Sequence, residues 1–336
     1  MTNRLTRIAL CIATALMAFA CGGNTDPFKS SITGRNGEVL VVVNDDVKTD
    51  TAGRYIQAMF SETYLGLPAD EPIFDLQTVP HGYFDKMMHS FRNLVIVEIS
   101  DTLQADTVKY FDDVWAKQQA LVSVTAKSKA ALLPLLQRHH LRILSYFTRA
   151  ERNRLIAFNA STKHHALSRE VGDQWGIDIT IPNSFDRCTP PDRNAMSWVG
   201  LSPDKSDSQI GLFVYDFPYI GEGTLSKVYL LNKRDSLLQK NIEGPDHSFM
   251  CTEIRFGLDD IIYKSGKQNG LDVAELRGLW RMNGCAMGGP FLLRAMHDTI
   301  NNRVVVADAY VYYPSKERKR NLIRQLESIM YSIDIK

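Results

Sequence analysis

The chain has 336 residues, 44% of them hydrophobic, 23% charged and 10% aromatic, enough to build a large core and to set a soft expectation of two domains. Its formal net charge is +1, two units lower without Arg4 and Arg7, and the two signs interleave along the sequence. That argues against nucleic-acid binding, which shows itself as a basic stripe. No apolar run reaches the ~20 residues that a helix needs to cross a membrane.

The N-terminus carries the most specific signal. Arg4 and Arg7 precede an apolar run from Ile8 to Ala20, with Ala18-Phe19-Ala20 directly before Cys21. A basic start, a short apolar core and small residues at −3 and −1 define an export signal peptide. Cysteine at +1 points to lipoprotein processing, with residues 1–20 removed and Cys21 becoming the lipidated, palmitate-bearing N-terminus. Ordinary cleavage after Ala20 is the alternative. The expectation is a cell-envelope protein anchored by acyl chains to the inner or outer membrane, facing the periplasm. Gly22-Gly23-Asn24-Thr25-Asp26-Pro27 reads as the start of a tether over 21–33, with folded sequence from Gly34.

In the first half, Val39–Val43 and Leu94–Val97 are continuous apolar runs of the kind found in strands covered on both faces. Between them Ala52, Tyr55, Ile56, Met59 and Phe60 recur on one helical face. A further strand is expected at Ala120–Thr125, then a helix over Ala130–Arg138 that tolerates Pro134 near its start. The stretch from about Ala150 to Gln174 predicts a long surface or bridging helix. The second half is richer in strands: 177–181, 196–201, 210–217, 249–256, 289–296 and 304–313 carry β-branched and aromatic residues between turn signals. Asp298–Asn302 is a hairpin loop between the last two, which implies antiparallel pairing. Leu225–Gln239 looks helical. A last helix is predicted with Ser315 as N-cap and a core stripe of Leu322, Ile323, Leu326, Ile329 and Met330. Its other face holds Lys316, Arg318, Lys319, Arg320 and Arg324. The fold class is therefore α/β to α+β in two layered domains, over 34–150 and 151–336. The first has a mixed sheet; the second has a largely antiparallel sheet with a packed C-terminal helix.

Candidate chemistry is sparse. Asn44-Asp45-Asp46 follows the first buried strand, where open α/β sheets bind ligands, but it completes no known acidic motif and reads as a turn into a helix. His139-His140 and His164-His165 are tandem pairs, and neighbours on a helix diverge where a metal needs i, i+4 spacing. Cys188, Cys251 and Cys285 remain after the leader; they could form one disulfide with a thiol left over or serve as small buried hydrophobes, and their spacings match no zinc pattern. No cofactor or metal is expected, nor any catalytic residue. The most distinctive internal stretch is Gly278–Phe291. It reads either as strand, tight turn and strand, with Gly288 and Gly289 supplying positive φ, or as a binding surface using Trp280 and Arg281 with those glycines.

Arg277-Gly278-Leu279-Trp280, Met287-Gly288-Gly289-Pro290-Phe291 and Tyr310-Val311-Tyr312-Tyr313-Pro314 leading to Lys319-Arg320 and Arg324-Gln325-Leu326-Glu327 resemble an uncharacterised family of Bacteroidota lipoproteins, a domain of unknown function (DUF4837-like). The resemblance brings no activity, cofactor or catalytic residue with it. The final strand and basic helix are also similar to the Mog1/PsbP-like α-β-α sandwich, an adaptor and assembly fold. The expectation is thus a non-enzymatic binding or scaffold module, held to the membrane by its lipid and partnered by an envelope protein or other envelope component. The alternative is an envelope hydrolase acting on glycan, lipid or peptide, with Asp45, Asp46 or the histidines at its centre.

Overall fold

The computed structural model describes residues 29–102, 104–188, 194–201, 209–254, 257–315 and 318–336. Cys21 and Lys316 lie outside the described residues. The apolar runs of the first half become the middle of a sheet, because neither of their faces can be left in water. The sheet consists of β1 (Glu38–Val42), β2 (Asp75–Val79), β3 (Asn93–Ile99), β4 (Thr107–Asp112) and β5 (Ala120–Ala126), in the order β2-β1-β3-β5-β4. All pairs are parallel except the edge pair β4–β5. On one face lie α1 (Thr51–Phe60) and α2 (Lys129–Ser161), joined to the sheet through Phe60, Phe74 and Phe147, whose rings are 6.0 to 6.1 Å apart. Asp50 caps α1 by accepting from the Gly53 amide at 3.0 Å. Among the described residues no α-helix lies on the other face. Phe84, Met88, Phe91, Phe111 and Trp115, from loops and the edge strand, cover it.

The sequence places one helix over 130–138 and another from about 150 to 174; the structure runs a single 33-residue helix, α2, through position 150 and past Pro134. Polar residues that suggest a solvated face are in fact buried. Glu151 accepts from Arg92, Asn93 and Arg154, which ties α2 to the start of β3. The helix ends near Thr162, and α3 (His165–Trp175) follows as a separate element, stopped by Gly176 in the left-handed conformation.

The second half is a three-layer α-β-α arrangement. Its antiparallel sheet comprises β6 (Phe185–Cys188), β7 (Ser197–Leu201), β8 (Gln209–Pro218), β9 (Phe249–Thr252), β10 (Ile262–Gln268), β11 (Leu271–Asn283), β12 (Gly288–Asp298) and β13 (Arg303–Tyr312). The strand order is β9-β11-β12-β13-β8-β7-β6, and β10 pairs with the first half of β11. Helix α4 (Lys227–Asn241) covers one face, while α3 and α5 (Arg320–Met330) cover the other.

Helix α5 starts at Arg320, not after Ser315, and its cap comes from the other half of the molecule. Glu71 accepts from the backbone amides of Lys319 and Arg320, the second at 3.0 Å. The basic face opposite the core stripe is itself partly buried: Arg320 and Arg324, with Glu327, are as buried as Ile323, Leu326 and Met330. One side of α5 packs on the C-terminal sheet. The other is clasped by the N-terminal unit.

Candidate functional site

Of the residues with possible chemistry, the polar groups are dispersed. Asp46 pairs with Lys129 at 2.5 Å, and this hydrogen bond and charge hold its carboxyl below the usual carboxylate range. His140 sits between Tyr55, whose hydroxyl is 2.8 Å from Nδ1, and Glu62, 2.7 Å from Nε2. His164 accepts from the Leu167 amide as the cap of α3. Cys188, Cys251 and Cys285 stand as free thiols; burial pushes Cys188 up to about 11 and raises Cys251, so neither is a ready nucleophile. Among the described residues no three His, Cys, Asp or Glu side chains gather as a metal would require.

The β11–β12 hairpin, by contrast, gathers its residues at one place. Trp280, Arg281, Gly288 and Gly289 all line a surface hollow of about 770 Å³, whose wall includes Cys285 and Met287 from the turn, Glu253 after β9, Lys319 ahead of α5 and Pro68 from the N-terminal unit. Trp280 lines it without projecting as an anchor. The indole is 3% exposed, lies edge-on to Tyr310 at 5.8 Å and donates from Nε1 to the Val311 carbonyl at 3.2 Å. Arg281 remains partly open, with Nη1 donating to Asn283 at 3.0 Å and Nε 3.7 Å from Glu253. Positive φ is supplied by Gly284 in the turn, and by neither Gly288 nor Gly289. Those two are needed for close approach: a Cβ on Gly289 would come to 2.0 Å from the Val311 carbonyl, and one on Gly288 to 2.8 Å from that of Trp280. The lining thus combines Trp280, Met287 and Cys285 with two cations, Arg281 and Lys319, and the carboxylate of Glu253. That composition suits a polypeptide or another amphipathic ligand.

The shape of the hollow depends on how the two units are held, and this was not legible in the sequence. Glu327 Oε1 accepts from Arg277 on β11 at 3.0 Å and from Arg152 on α2 at 3.2 Å. Tyr64 accepts from Arg277 at 2.9 Å and donates to the other Glu327 oxygen at 3.4 Å. Desolvation drives the Glu327 carboxyl up, but Arg277, Arg152 and Arg324 together outweigh it and leave the group below its ordinary value. Nearby, Arg324 donates to the Ile73 carbonyl at 2.6 Å, Arg320 to Asp75 at 2.7 Å and Asn159 to Ser328 at 2.9 Å. The available signal was the i, i+4, i+7 spacing of Arg320, Arg324 and Glu327, which places three charged groups on one helix face.

Fold and site together define a two-unit α/β protein with a hollow at its joint and no gathered catalytic centre among the described residues. The chain belongs to the family described as Domain of unknown function (DUF4837), whose model matches residues 164–332; a second model, Domain of unknown function (DUF8532), matches residues 32–159. A comparison with curated proteins finds no match. Among solved structures, the Saccharomyces cerevisiae Ran-binding protein Mog1p is similar at 12% identity and a TM-score of 0.31, over 48% of this chain and 90% of that one. A single-substitution mutant of Mog1 is similar at 13% identity, with the same TM-score and coverage. Likeness at that level supports no conclusion about this chain.

Proposed function

We propose that the protein is exported, anchored by lipid at Cys21 in the cell envelope, and acts as a non-enzymatic binding or scaffold module through the hollow at the β11–β12 hairpin. The observation that carries this reading is a contrast in placement. Asp46, His140 and His164 lie on separate elements and each is bonded locally, whereas Trp280, Arg281, Gly288 and Gly289 converge on one hollow that Pro68 of the N-terminal unit also lines. The leader sequence supports the anchoring half of the reading.

The test is a photo-reactive residue at position 281 in the full chain, activated in native envelopes, with position 141 as an exposed control. A discrete crosslinked species from 281 alone is the expected result. Equal, diffuse crosslinking from both positions would count against the hollow, and turnover abolished by Asp46→Asn would favour the hydrolase. Anchoring is tested separately: Cys21→Ser should abolish fatty-acid labelling and release the chain from membranes.

A further inference from the structure

Among the described residues, the apolar side chains on the sheet face opposite α1 and α2 are covered by the loop after β2, by Phe111 of β4 and by the segment after β4. On the outer side of that cover Tyr83 is 74% and Met87 82% exposed, four residues apart in one loop and flanking Lys86. Beneath them Phe84 packs on His89, which stacks on Trp115 at 4.4 Å. Asp85, exposed beside them, accepts from the Met87 amide at 2.9 Å. The chain enters at the same cover: Ser30 and Ser31 pair in parallel with Ala116 and Lys117, Ser30 Oγ donates to the Trp115 carbonyl at 3.4 Å, and Thr33 bonds to Ser90.

We propose that this face is the one the protein turns to the membrane, with Tyr83 and Met87 entering the headgroup layer and Lys86 meeting anionic lipid. The proposal rests on the lipid at Cys21. Cys21 and Lys29 are eight residue steps apart, with seven residues between them, and an extended chain of eight steps spans at most about 28 Å. A lipid at Cys21 therefore holds the Lys29 side of the protein within that distance of the bilayer. Tyrosine suits the position, since its ring is apolar and its hydroxyl can stay hydrated. A lysine beside it gains from the negative surface potential. Leu141 and Ile300 are equally exposed, but nothing ties either to the chain entry.

The experiment is hydrogen exchange on the full chain in vesicles of phosphatidylethanolamine and phosphatidylglycerol at low surface density, compared with its Cys21→Ser form free in buffer. Amides of residues 82–88 should exchange at least about tenfold more slowly on vesicles, while those around Leu141 and Ile300 stay unchanged. Tyr83→Ser/Met87→Ser should remove that protection without moving the melting temperature, since both side chains are exposed. Protection elsewhere with 82–88 unchanged would overturn the proposal. The intact mass of the same sample reports whether Cys21 carries acyl chains and so tests the anchor independently. If it carries none, vesicle flotation with 82–88 protected would still support the membrane face, and absence of flotation would overturn it.

Discussion

Glu327 and Asp308 are both buried carboxyls facing arginine, yet burial affects them in opposite ways. Glu327, at the joint between the units, is shared by Arg277 and Arg152 with Arg324 close by, and it stays below its ordinary value. Asp308, in the middle of β13, has among the described residues Arg234 of α4 at 2.9 Å, with Asp235 adding a like charge; desolvation prevails and pushes its carboxyl up to about 6. The number of opposite charges that share the burial decides whether a buried carboxylate keeps its charge. The joint is built to stay ionised. The C-terminal core holds a pair close to neutralisation.

The largest expected effect comes from breaking the lone pair. Arg234→Met should cost about 3–5 kcal/mol of unfolding free energy at pH 8, because Asp308 is left without its counter-charge. The cost should shrink at pH 5, where Asp308 can take up a proton, and denaturant melts at the two pH values would show this. An equal loss at both would mean that Asp308 does not titrate as described. Glu327→Gln should follow at about 3 kcal/mol, since Arg277 and Arg152 would then face each other across the joint. Calorimetry should show the two units melting apart in that variant.

The pH profiles should separate the clusters in sign. Glu327 has a folded value below its ordinary 4.5, so its contribution is present above that pH and is lost as pH falls through the folded value. Asp308 has a folded value of about 6 against an ordinary 3.8, so its contribution is full below 3.8 and is lost as pH rises through about 6. Asp308→Asn should flatten stability between these two values, and Glu327→Gln should leave that window alone and flatten the acid fall. Smaller still, Glu71→Ala should cost about 1 kcal/mol, the loss of a helix cap. Arg318→Ala, whose partner Asp75 is reached across an exposed surface, should cost no more than about 0.5 kcal/mol.

The elements legible in the sequence were those whose apolar pattern matched their burial. Val39–Val43 and Leu94–Val97 read as interior strands because every residue in them had to leave water. Edge strands were missed for the opposite reason: Asp75–Val79, Thr107–Asp112 and Ile262–Gln268 expose one side and look like loops. The long helix α2 was read in pieces because Glu151 and Arg154 look solvated yet bond to each other and to β3. The hairpin at Trp280 was legible as a distinctive stretch. The burial of Trp280 was not, because whether a tryptophan is buried or projects depends here on Tyr310 and Val311, which are distant in sequence. The joint was least legible, since charge on a helix face carries no mark of the unit that will cover it.

The hollow is lined mainly by the C-terminal unit, with Pro68 from the N-terminal one beside it, and the central claim is that Glu327 makes the two units one body. Native-state hydrogen exchange at pH 7 tests it most directly, comparing the slowest amides of β3 with those of β12. The wild-type chain should give the same opening free energy for both strands, and Glu327→Gln should separate the two values. Distinct values in the wild-type chain, or a variant in which they remain equal, would contradict the account.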